Sequence, residues 1–409
     1  MTPRDSRPAR ETGGTESGVD PQSLMRECLR YARERSYRGP DYGDGMSSRL
    51  LQALPVDSMY LNLAVQELVK RAPVDVRPLF RVDHRRNFQG IALFAMTNMV
   101  AADLTGETGY DAAARSLADW LLDTRIDGYA GFCGGHRHDL QTLDGVVPVG
   151  TPGVVGTSYA VKALLRADER YDTDYGTVAR TAVDFVFEDL GYSEAEGTGA
   201  RIDYKPGEPD DYDTINAVAL GARLLVDIHD RYGVARAREG ATELLRYVAS
   251  RQTPVGGWYY RDPPSASHLS MDSHHNGFVI ETFQRYRAVT GDARFDDTLE
   301  RALAFYRGLF EADGAPAFDE DSAYPRDIHA ATQGVIVFSY AGDDAAARRI
   351  IDWTVETLYV GDGRFYFRKH RFHTKRVVLM RWCVAWMAYA LGEHLRAREF
   401  DPDDPRRVG

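Results

Sequence analysis

The sequence predicts an all-α fold, an (α/α)6 toroid in which six helical hairpins close into a ring. Apolar residues recur with a period near 3.6 through most of the chain, whereas alternating strand patterns are scarce. Apolar helical segments begin roughly every 50 to 68 residues, and most are followed by a turn and a more charged helix. A single hairpin cannot bury its apolar face, so consecutive hairpins are expected to stack.

The repeat places the predicted helices in order along the chain. Inner helices are predicted to begin near Phe88, Gly156, Thr214, Ser273, Ile328 and Arg376. Outer helices are predicted at Tyr110–Asp123, Thr177–Leu190, Ala235–Arg251, Phe295–Phe310 and Ala345–Tyr359. Loops rich in glycine and aromatic residues, at 131–135, 256–260 and 361–366, precede the next unit.

The sixth inner helix leaves little chain for an outer partner, and an N-terminal helix from Pro21 to Tyr37 could supply it. That missing partner favours a closed ring over the alternative, an open α-solenoid. We therefore predict one toroid domain over residues 21–400. Residues 1–20 are predicted to form a disordered tail and residues 401–409 a flexible tail, because both are polar with little to bury.

Composition excludes several classes of protein. The net charge of −11 argues against a partner held by phosphate contacts, so no nucleic-acid binding is predicted. No apolar run approaches the length of a membrane span, and the polar N-terminus shows no secretory signal. The cysteines Cys28, Cys133 and Cys383 are odd in number and scattered, which fits a reducing compartment. We predict a cytoplasmic protein.

Polar clusters precede the inner helices, and in a closed ring these loops converge on one end of a central cavity. An aspartate at a helix start is usually an N-cap, but caps alone would not explain the accompanying histidines and arginines. Metal binding was weighed for the histidine pairs, but the spacing shows no further ligand, so no metal and no cofactor is predicted. The candidate substrate-binding residues are Asp41, His136, His138, Trp258, Asp272, His274, Asp327, His329, Arg381 and Trp382.

The candidate catalytic residues are Asp44 from the first unit, Asp211 or Asp213 from the third, and His275. Two carboxylates facing each other across a cavity can serve as the acid and the base of glycosyl chemistry. The imidazole of His275 could shuttle a proton near neutral pH. Arg381 would hold an anionic group, and Trp258 or Trp382 would stack on a sugar ring. The predicted ligand is an acidic oligosaccharide, free or lipid-linked.

Four stretches carry a resemblance to known proteins: Asp41–Leu50, Gly131–His136, Ser265–Glu281 and Met380–Leu391. With them the chain resembles a carbohydrate-active toroid family, AglQ-like, that is associated with surface polysaccharide and archaeal N-glycosylation. It is more distantly similar to unsaturated glucuronyl hydrolases and glucuronyl C5-epimerases. The resemblance implies glycan processing and points to carboxylates in the first and third units, here Asp44 and the Asp211/Asp213 pair. Hydrolysis and epimerisation both remain open.

Two other functions were weighed. Gln252 to Trp258 fits the Q-x3-G-x-W pattern of terpene cyclases, which are also α-toroids. The pattern occurs only once, and a lone motif is a weak indication. A non-catalytic glycan-binding scaffold is the other alternative, since it would keep the aromatic and arginine residues without needing the carboxylates.

Overall fold

The computed structural model describes residues 19–55, 58–143, 145–171, 173–195, 197–208 and 211–409. Most of the predicted N-terminal tail, residues 1–18, thus lies outside the described residues. Asp20 is the N-cap of the first helix, where its carboxylate accepts hydrogen bonds from the backbone N–H groups of Gln22 and Ser23.

Helices dominate the described part of the chain. The α-helices are α1 Pro21–Glu34, α2 Arg49–Gln52, α3 Met59–Arg71, α4 Arg77–Phe80, α5 Phe88–Thr105, α6 Thr108–Asp123, α7 Val154–Tyr171, α8 Tyr175–Ala179, α9 Ala182–Asp184, α10 Ile215–Tyr232, α11 Ala235–Ser250, α12 Ser273–Thr290, α13 Asp296–Arg307, α14 Ile328–Tyr340, α15 Asp344–Leu358 and α16 Trp386–Ala397. Short π-helical turns at Phe185–Asp189 and Met380–Ala385 extend α9 and precede α16.

The strands are short and belong to the connecting loops. They are β1 Leu140–Gln141, β2 Val146–Val147, β3 Ser193–Ala195, β4 Gly199–Arg201, β5 Asp213–Thr214, β6 Arg261–Asp262, β7 Arg326–Asp327, β8 Tyr359–Gly361, β9 Arg364–Phe365, β10 Arg368–Lys369 and β11 Thr374–Lys375. β5 pairs with β6, and β10 lies between β7 and β11, all antiparallel. These pairs tie together the loops that lead into the inner helices.

The prediction of a closed (α/α)6 toroid is confirmed. Across the described residues, the inner helices α5, α7, α10, α12, α14 and α16 each pack against the next, and α16 packs against α5 to close the ring. The outer layer is formed by α6, α8 with α9, α11, α13, α15 and α1. The helix α1 packs against α16 as the sequence predicted, although it ends at Glu34 rather than Tyr37. Ser36 and Tyr37 both have positive φ, which ends the helix.

Burial separates the two layers. The helix α5 is buried without interruption from Phe88 to Ala102, because it contacts neighbours on every side. The outer helix α11 buries only one stripe, which includes Leu244, Leu245 and Val248. This difference follows the sequence pattern of apolar inner and charged outer helices.

The glycines of the repeated loops allow each loop to touch the outer helix of the next unit. A Cβ on Gly131 would lie 1.9 Å from the Thr181 carbonyl oxygen, and one on Gly256 would lie 2.5 Å from that of Arg301. In the last unit a Cβ on Gly363 would lie 2.4 Å from the backbone of Glu27 and Cys28 in α1. The N-terminal helix therefore meets the same kind of loop that the other outer helices meet.

The C-terminal residues differ from the predicted flexible tail over 401–409. The Arg407 side chain is 2% exposed, donates to the Ser339 carbonyl oxygen and pairs with Asp344, while Val408 is buried. The sequence pattern does not indicate that the C-terminal residues are fixed, because Arg407 is held by partners on α14 and α15 that are distant in sequence. No described helix is both long and apolar enough to cross a membrane.

Candidate functional site

A cavity of about 680 Å³ opens at the end of the ring where the inner helices begin. Its wall combines the loops before α5, α7, α10, α12 and α16. The polar and aromatic residues that line it include Asn87, Gln89, His136, Tyr204, Lys205, Glu208, Tyr212, Tyr260, Arg261 and Arg381. The cavity lies where the sequence analysis expected the loops to converge.

Arg381 is held rigidly in the cavity wall. Its Nε lies 3.1 Å from Asp41 Oδ1, and its Nη1 donates to Gln89 Oε1 at 2.9 Å. Asn87 Nδ2 donates to Asp41 Oδ2 at 2.6 Å. Burial alone would raise the pKa of the Asp41 carboxyl. The combined effect of Arg381, the nearby histidines and the Tyr42 backbone N–H is larger, so the pKa lies below its usual value. Asp41 is therefore an ionised group that positions Arg381.

His136 is a neutral imidazole in the cavity wall. Burial lowers its pKa to about 4, and the charges of Arg381 and His138 act in the same direction. The ring of His138 lies 5.8 Å away by centroids and is buried, with Nε2 unpaired among the described residues. At neutral pH His136 can accept a proton or a hydrogen bond but carries no charge.

Glu208 lines the cavity and was missed by the sequence analysis. Its carboxylate accepts from the Tyr204 backbone N–H at 2.7 Å and from the Tyr212 hydroxyl at 3.4 Å. Burial raises the pKa of the Glu208 carboxyl above its usual value. The residue lies in a loop between β4 and β5 with no periodicity or motif, so only the fold reveals its position.

Two cations in the cavity wall, Lys205 and Arg261, form no close ion pair with a described residue, although both charges act on the Glu208 carboxyl and partly offset the effect of burial on its pKa. The Arg261 guanidinium lies 3.6 Å above the Tyr212 ring, and its buried Nε has no hydrogen-bond partner in the described structure. Lys205 likewise forms no ion pair with any described residue. Such groups are suited to bind the carboxylate, sulfate or phosphate of an anionic ligand.

Asp272 and His275 form a hydrogen-bonded pair at the start of α12. Asp272 Oδ1 caps the helix by accepting from the His275 backbone N–H at 3.0 Å. The same carboxylate lies 2.9 Å from His275 Nδ1, which assigns the proton to Nδ1 and leaves Nε2 free to accept one. The His275 ring lies 4.5 Å by centroids from Tyr260, a residue of the cavity wall. His275 is therefore an oriented base at the cavity edge.

A cluster of two buried rings, His329 and Trp386, and two half-buried rings, His274 and Trp382, lies beside this pair. The His274 and His329 rings are 3.5 Å apart by centroids, and His329 lies 4.8 Å from Trp382 and 4.5 Å from Trp386. Burial lowers the pKa of both His274 and His329 well below the usual value, with neighbouring cations adding to the effect. Neither histidine is charged at neutral pH.

The predicted carboxylate pair is not brought together across this cavity. Asp44 is buried behind the wall, where Arg77 Nε donates to it at 2.8 Å and burial raises its pKa to about 6. Asp213 accepts from the Tyr247 hydroxyl at 2.5 Å and from Arg201 at 3.3 Å, in β5. Asp211 is exposed on the loop before β5. Asp44 and Asp213 are thus both held by ion pairs and hydrogen bonds, and neither lines the cavity.

Trp258 is also placed differently from the prediction. It is 2% exposed, its Nε1 donates to the Val248 carbonyl oxygen, and its ring stacks on Phe283 at 5.9 Å. It cannot stack on a sugar ring because both its faces and its edge are buried. Trp382 instead stacks on Tyr42 at 4.7 Å.

Asp327 stabilises the start of α14. Its Oδ1 accepts from the His329 backbone N–H at 2.7 Å, and its Oδ2 pairs with Arg368 at 2.5 Å. Asp327 therefore fixes the position of His329 through its backbone N–H.

The Q-x3-G-x-W pattern has a structural explanation in this chain. Gln252 Nε2 donates to the carbonyl oxygens of Gly256 and Thr298, which fixes the turn against α13. The glycine gives the close approach to Arg301, and the tryptophan fills the core. None of these residues lines the cavity, so the pattern gives no support to a terpene cyclase.

Solved structures of sugar-processing enzymes share this fold. The protein is similar to an inactive variant of the alpha-1,6-mannanase of Salegentibacter sp. HEL1_6, at 10% identity with a TM-score of 0.58, covering 92% of this chain and 99% of that one. It is also similar to cellobiose 2-epimerase from Bacillus thermoamylovorans, at 13% identity with a TM-score of 0.58, covering 77% and 90%. A glycosyl hydrolase family 88 protein from Bacteroides vulgatus matches at 11% identity with a TM-score of 0.53, covering 79% and 92%.

No protein-family model and no curated protein sequence matches the chain. At these identities the structural likeness establishes the (α/α)6 toroid and not the reaction.

Proposed function

We propose that this protein is an enzyme that processes an acidic oligosaccharide by moving a proton at a sugar carbon, as an epimerase or isomerase does. The observation that carries the proposal is the Asp272–His275 pair at the edge of a cavity whose wall holds two cations, Lys205 and Arg261, that form no close ion pair within the described part of the chain. An imidazole oriented by a carboxylate is a suitable general base near neutral pH. The fold, which is shared with hydrolases and an epimerase, supports a sugar substrate without choosing between the reactions.

In the proposed reaction, Nε2 of His275 removes the proton from the carbon next to the substrate carboxylate. Arg261 and Lys205 bind that carboxylate and stabilise the negative charge that develops on it. The Tyr260 hydroxyl stays protonated because burial raises its pKa, so it can donate a hydrogen bond to the substrate. A proton from water is then delivered to the opposite face of the carbon while His275 releases the first proton to solvent, which completes an epimerisation and regenerates the base.

Hydrolysis is the second candidate function, favoured by the raised pKa of Glu208. A carboxyl whose pKa is raised by its surroundings is the usual general acid of glycosidases. That mechanism also needs a second carboxylate facing the first, and among the described residues lining the cavity Glu208 has no such partner. The proton-transfer reaction therefore ranks first.

The biological substrate is proposed from the sequence resemblance. An AglQ-like protein would act on a surface polysaccharide or an N-linked glycan precursor, free or lipid-linked, in the cytoplasm. The cations Lys205 and Arg261 of the cavity wall support an acidic glycan over a neutral one. A non-catalytic scaffold would have no need for the oriented base at His275.

The test is incubation of the protein with uronic-acid oligosaccharides in heavy water, followed by NMR. Deuterium at the carbon next to the carboxylate without chain cleavage is the expected result. His275→Gln should slow exchange by about 10²- to 10⁴-fold, the usual contribution of a positioned base. The exposed His84 offers a matched control, since His84→Gln should exchange at the wild-type rate.

Two results would contradict this proposal. Release of new reducing ends without deuterium, abolished by Glu208→Gln, would establish hydrolysis instead. Exchange by His275→Gln at the wild-type rate would remove the Asp272–His275 pair from the reaction.

A further inference from the structure

Exposed hydrophobic side chains are concentrated in three neighbouring segments at the cavity end of the ring. The segments are residues 49–55 and 58–80, residues 140–143 and 145–150, and the hairpin of β10 and β11. Ten of the thirteen exposed large hydrophobic side chains in the described part of the chain lie in them. These ten form what we call the apolar rim: Leu50, Leu54, Tyr60, Leu68, Val74, Leu79, Leu143, Val146, Val149 and Phe372.

Hydrogen bonds join the three segments to one another. Gln66 Nε2 donates to the Gln141 carbonyl oxygen at 3.0 Å, which ties α3 to β1. The backbone N–H of Arg376 donates to the Pro73 carbonyl oxygen at 2.7 Å, which ties the loop after α3 to the chain just beyond β11. Val146 belongs both to the rim and to the cavity wall, so the rim reaches the cavity mouth.

Phe372 is the most exposed member of the rim, at 89% of its surface. It lies at the tip of the β10–β11 hairpin, which the His370 N–H closes by donating to the His373 carbonyl oxygen at 2.8 Å. The His370 and His373 rings stack 4.5 Å apart at the base of the tip. A supported hairpin thus presents an aromatic side chain to the outside. Exposed apolar patches of this kind mark interaction sites in folded proteins.

The rim carries positive charge on a protein whose net charge is −11. Residues 363–392 contain no Asp or Glu. Of the cations beside the rim, Arg81, Lys369, Arg371 and Arg376 form no ion pair with any described residue. Such local asymmetry of charge favours an anionic partner at this face.

We propose that the apolar rim docks the cavity mouth onto an anionic membrane surface. Aromatic and aliphatic side chains flanked by arginine and lysine are what an interfacial binding surface requires. A second copy of this chain is a less suitable partner for the rim, because a two-fold contact would bring the positively charged patches of both copies into one interface. This inference does not depend on the proposed reaction, since docking can be measured without turnover.

The test is cosedimentation of the full chain with vesicles. Wild-type protein should bind vesicles of equal parts phosphatidylglycerol and phosphatidylcholine, should not bind phosphatidylcholine alone, and should dissociate as salt is raised. Phe372→Ser should weaken binding about tenfold, and Arg371→Glu should weaken it as well. Val255→Ser, which removes an exposed apolar side chain outside the rim, should bind like the wild type.

Three results would overturn the proposal. The first is absence of binding to the anionic vesicles, and the second is equal binding by wild-type protein and Phe372→Ser. The third is a wild-type dimer in light scattering that Phe372→Ser converts to a monomer, because the rim would then be a contact between two copies. Melting curves of the variants that match the wild type exclude misfolding as the cause.

Discussion

Asp272 has two functions that a substitution can separate. Its carboxylate caps α12 through the His275 backbone N–H and orients the His275 ring through Nδ1. A cap needs only a hydrogen-bond acceptor, whereas the orientation of an imidazole that becomes charged during the reaction needs a negative charge. Because one carboxylate has both roles, His275 lies in the first turn of α12, next to the N-cap residue that orients it.

Asp272→Asn is expected to keep the cap and lose the charge. Its melting temperature should stay near that of the wild type, while the exchange rate falls by about 100-fold. Asp272→Ala should lose both, with a further cost of about 1 kcal/mol in the free energy of unfolding. Kinetics in heavy water together with denaturant unfolding measure the two effects. Equal exchange rates for wild-type protein and Asp272→Asn would show that the carboxylate acts only as a cap.

At the same scale, the sequence does not reveal which candidate side chains have a partner distant in sequence. Asp44 looks catalytic in the sequence, but its partner Arg77 lies 33 residues further on. Asp213 is held by Tyr247, 34 residues away. A sequence pattern shows which residue types precede a helix but not which of them are neutralised by a distant partner.

At the scale of elements, the repeated loops and outer helices form the contacts that close the ring. Most helix positions followed from periodicity alone. The predicted outer helix Thr177–Leu190 is instead broken into α8, α9 and a π-helical turn. Thr181, at the break, donates its hydroxyl to the Val178 carbonyl oxygen and accepts from the Phe132 N–H of the preceding loop. Such a tertiary contact overrides local helix propensity.

Gly363 tests the contact that closes the ring. Its φ of +73° and its close approach to Glu27 and Cys28 both exclude a side chain. Gly106 has a φ of +70° with nothing within 4 Å of a Cβ, so Gly106→Ala measures the backbone strain alone. We expect Gly363→Ala to lower the free energy of unfolding by about 1–3 kcal/mol more than Gly106→Ala. Equal losses in denaturant unfolding would mean that α1 adjusts without cost.

At the scale of the whole molecule, the ring buries ionisable groups that the unfolded chain exposes. His394 of α16 is 1% exposed and shares a hydrogen bond of 2.8 Å with Ser339 of α14 through Nδ1. Burial lowers its pKa to about 4, and Arg398 acts in the same direction. Burial likewise lowers the pKa of His136 to about 4. The fold thus holds both histidines neutral at opposite ends of the ring.

This burial predicts how stability depends on pH. The pKa of each histidine is lower in the folded protein than its usual value of 6.5, so the unfolded chain binds protons more readily as pH falls. The free energy of unfolding is therefore not reduced by these histidines above about pH 6.5, and it falls as the pH decreases from 6.5 towards about 4. Between neutral pH and about pH 5, the proton uptake of each histidine on unfolding should lower the free energy of unfolding by about 2 kcal/mol.

The measurement is urea unfolding between about pH 7.5 and about pH 5, where carboxylates with ordinary pKa values remain mostly ionised and the Asp44 carboxyl titrates alike in wild type and variant. The wild-type free energy of unfolding should fall steeply over that interval. His394→Gln should be less stable at the higher pH but should lose about 2 kcal/mol less on acidification, because its proton uptake on unfolding is gone. His84→Gln, altered at an exposed histidine, should follow the wild-type curve. A slope for His394→Gln equal to that of the wild type would show that His394 is not held neutral by the ring.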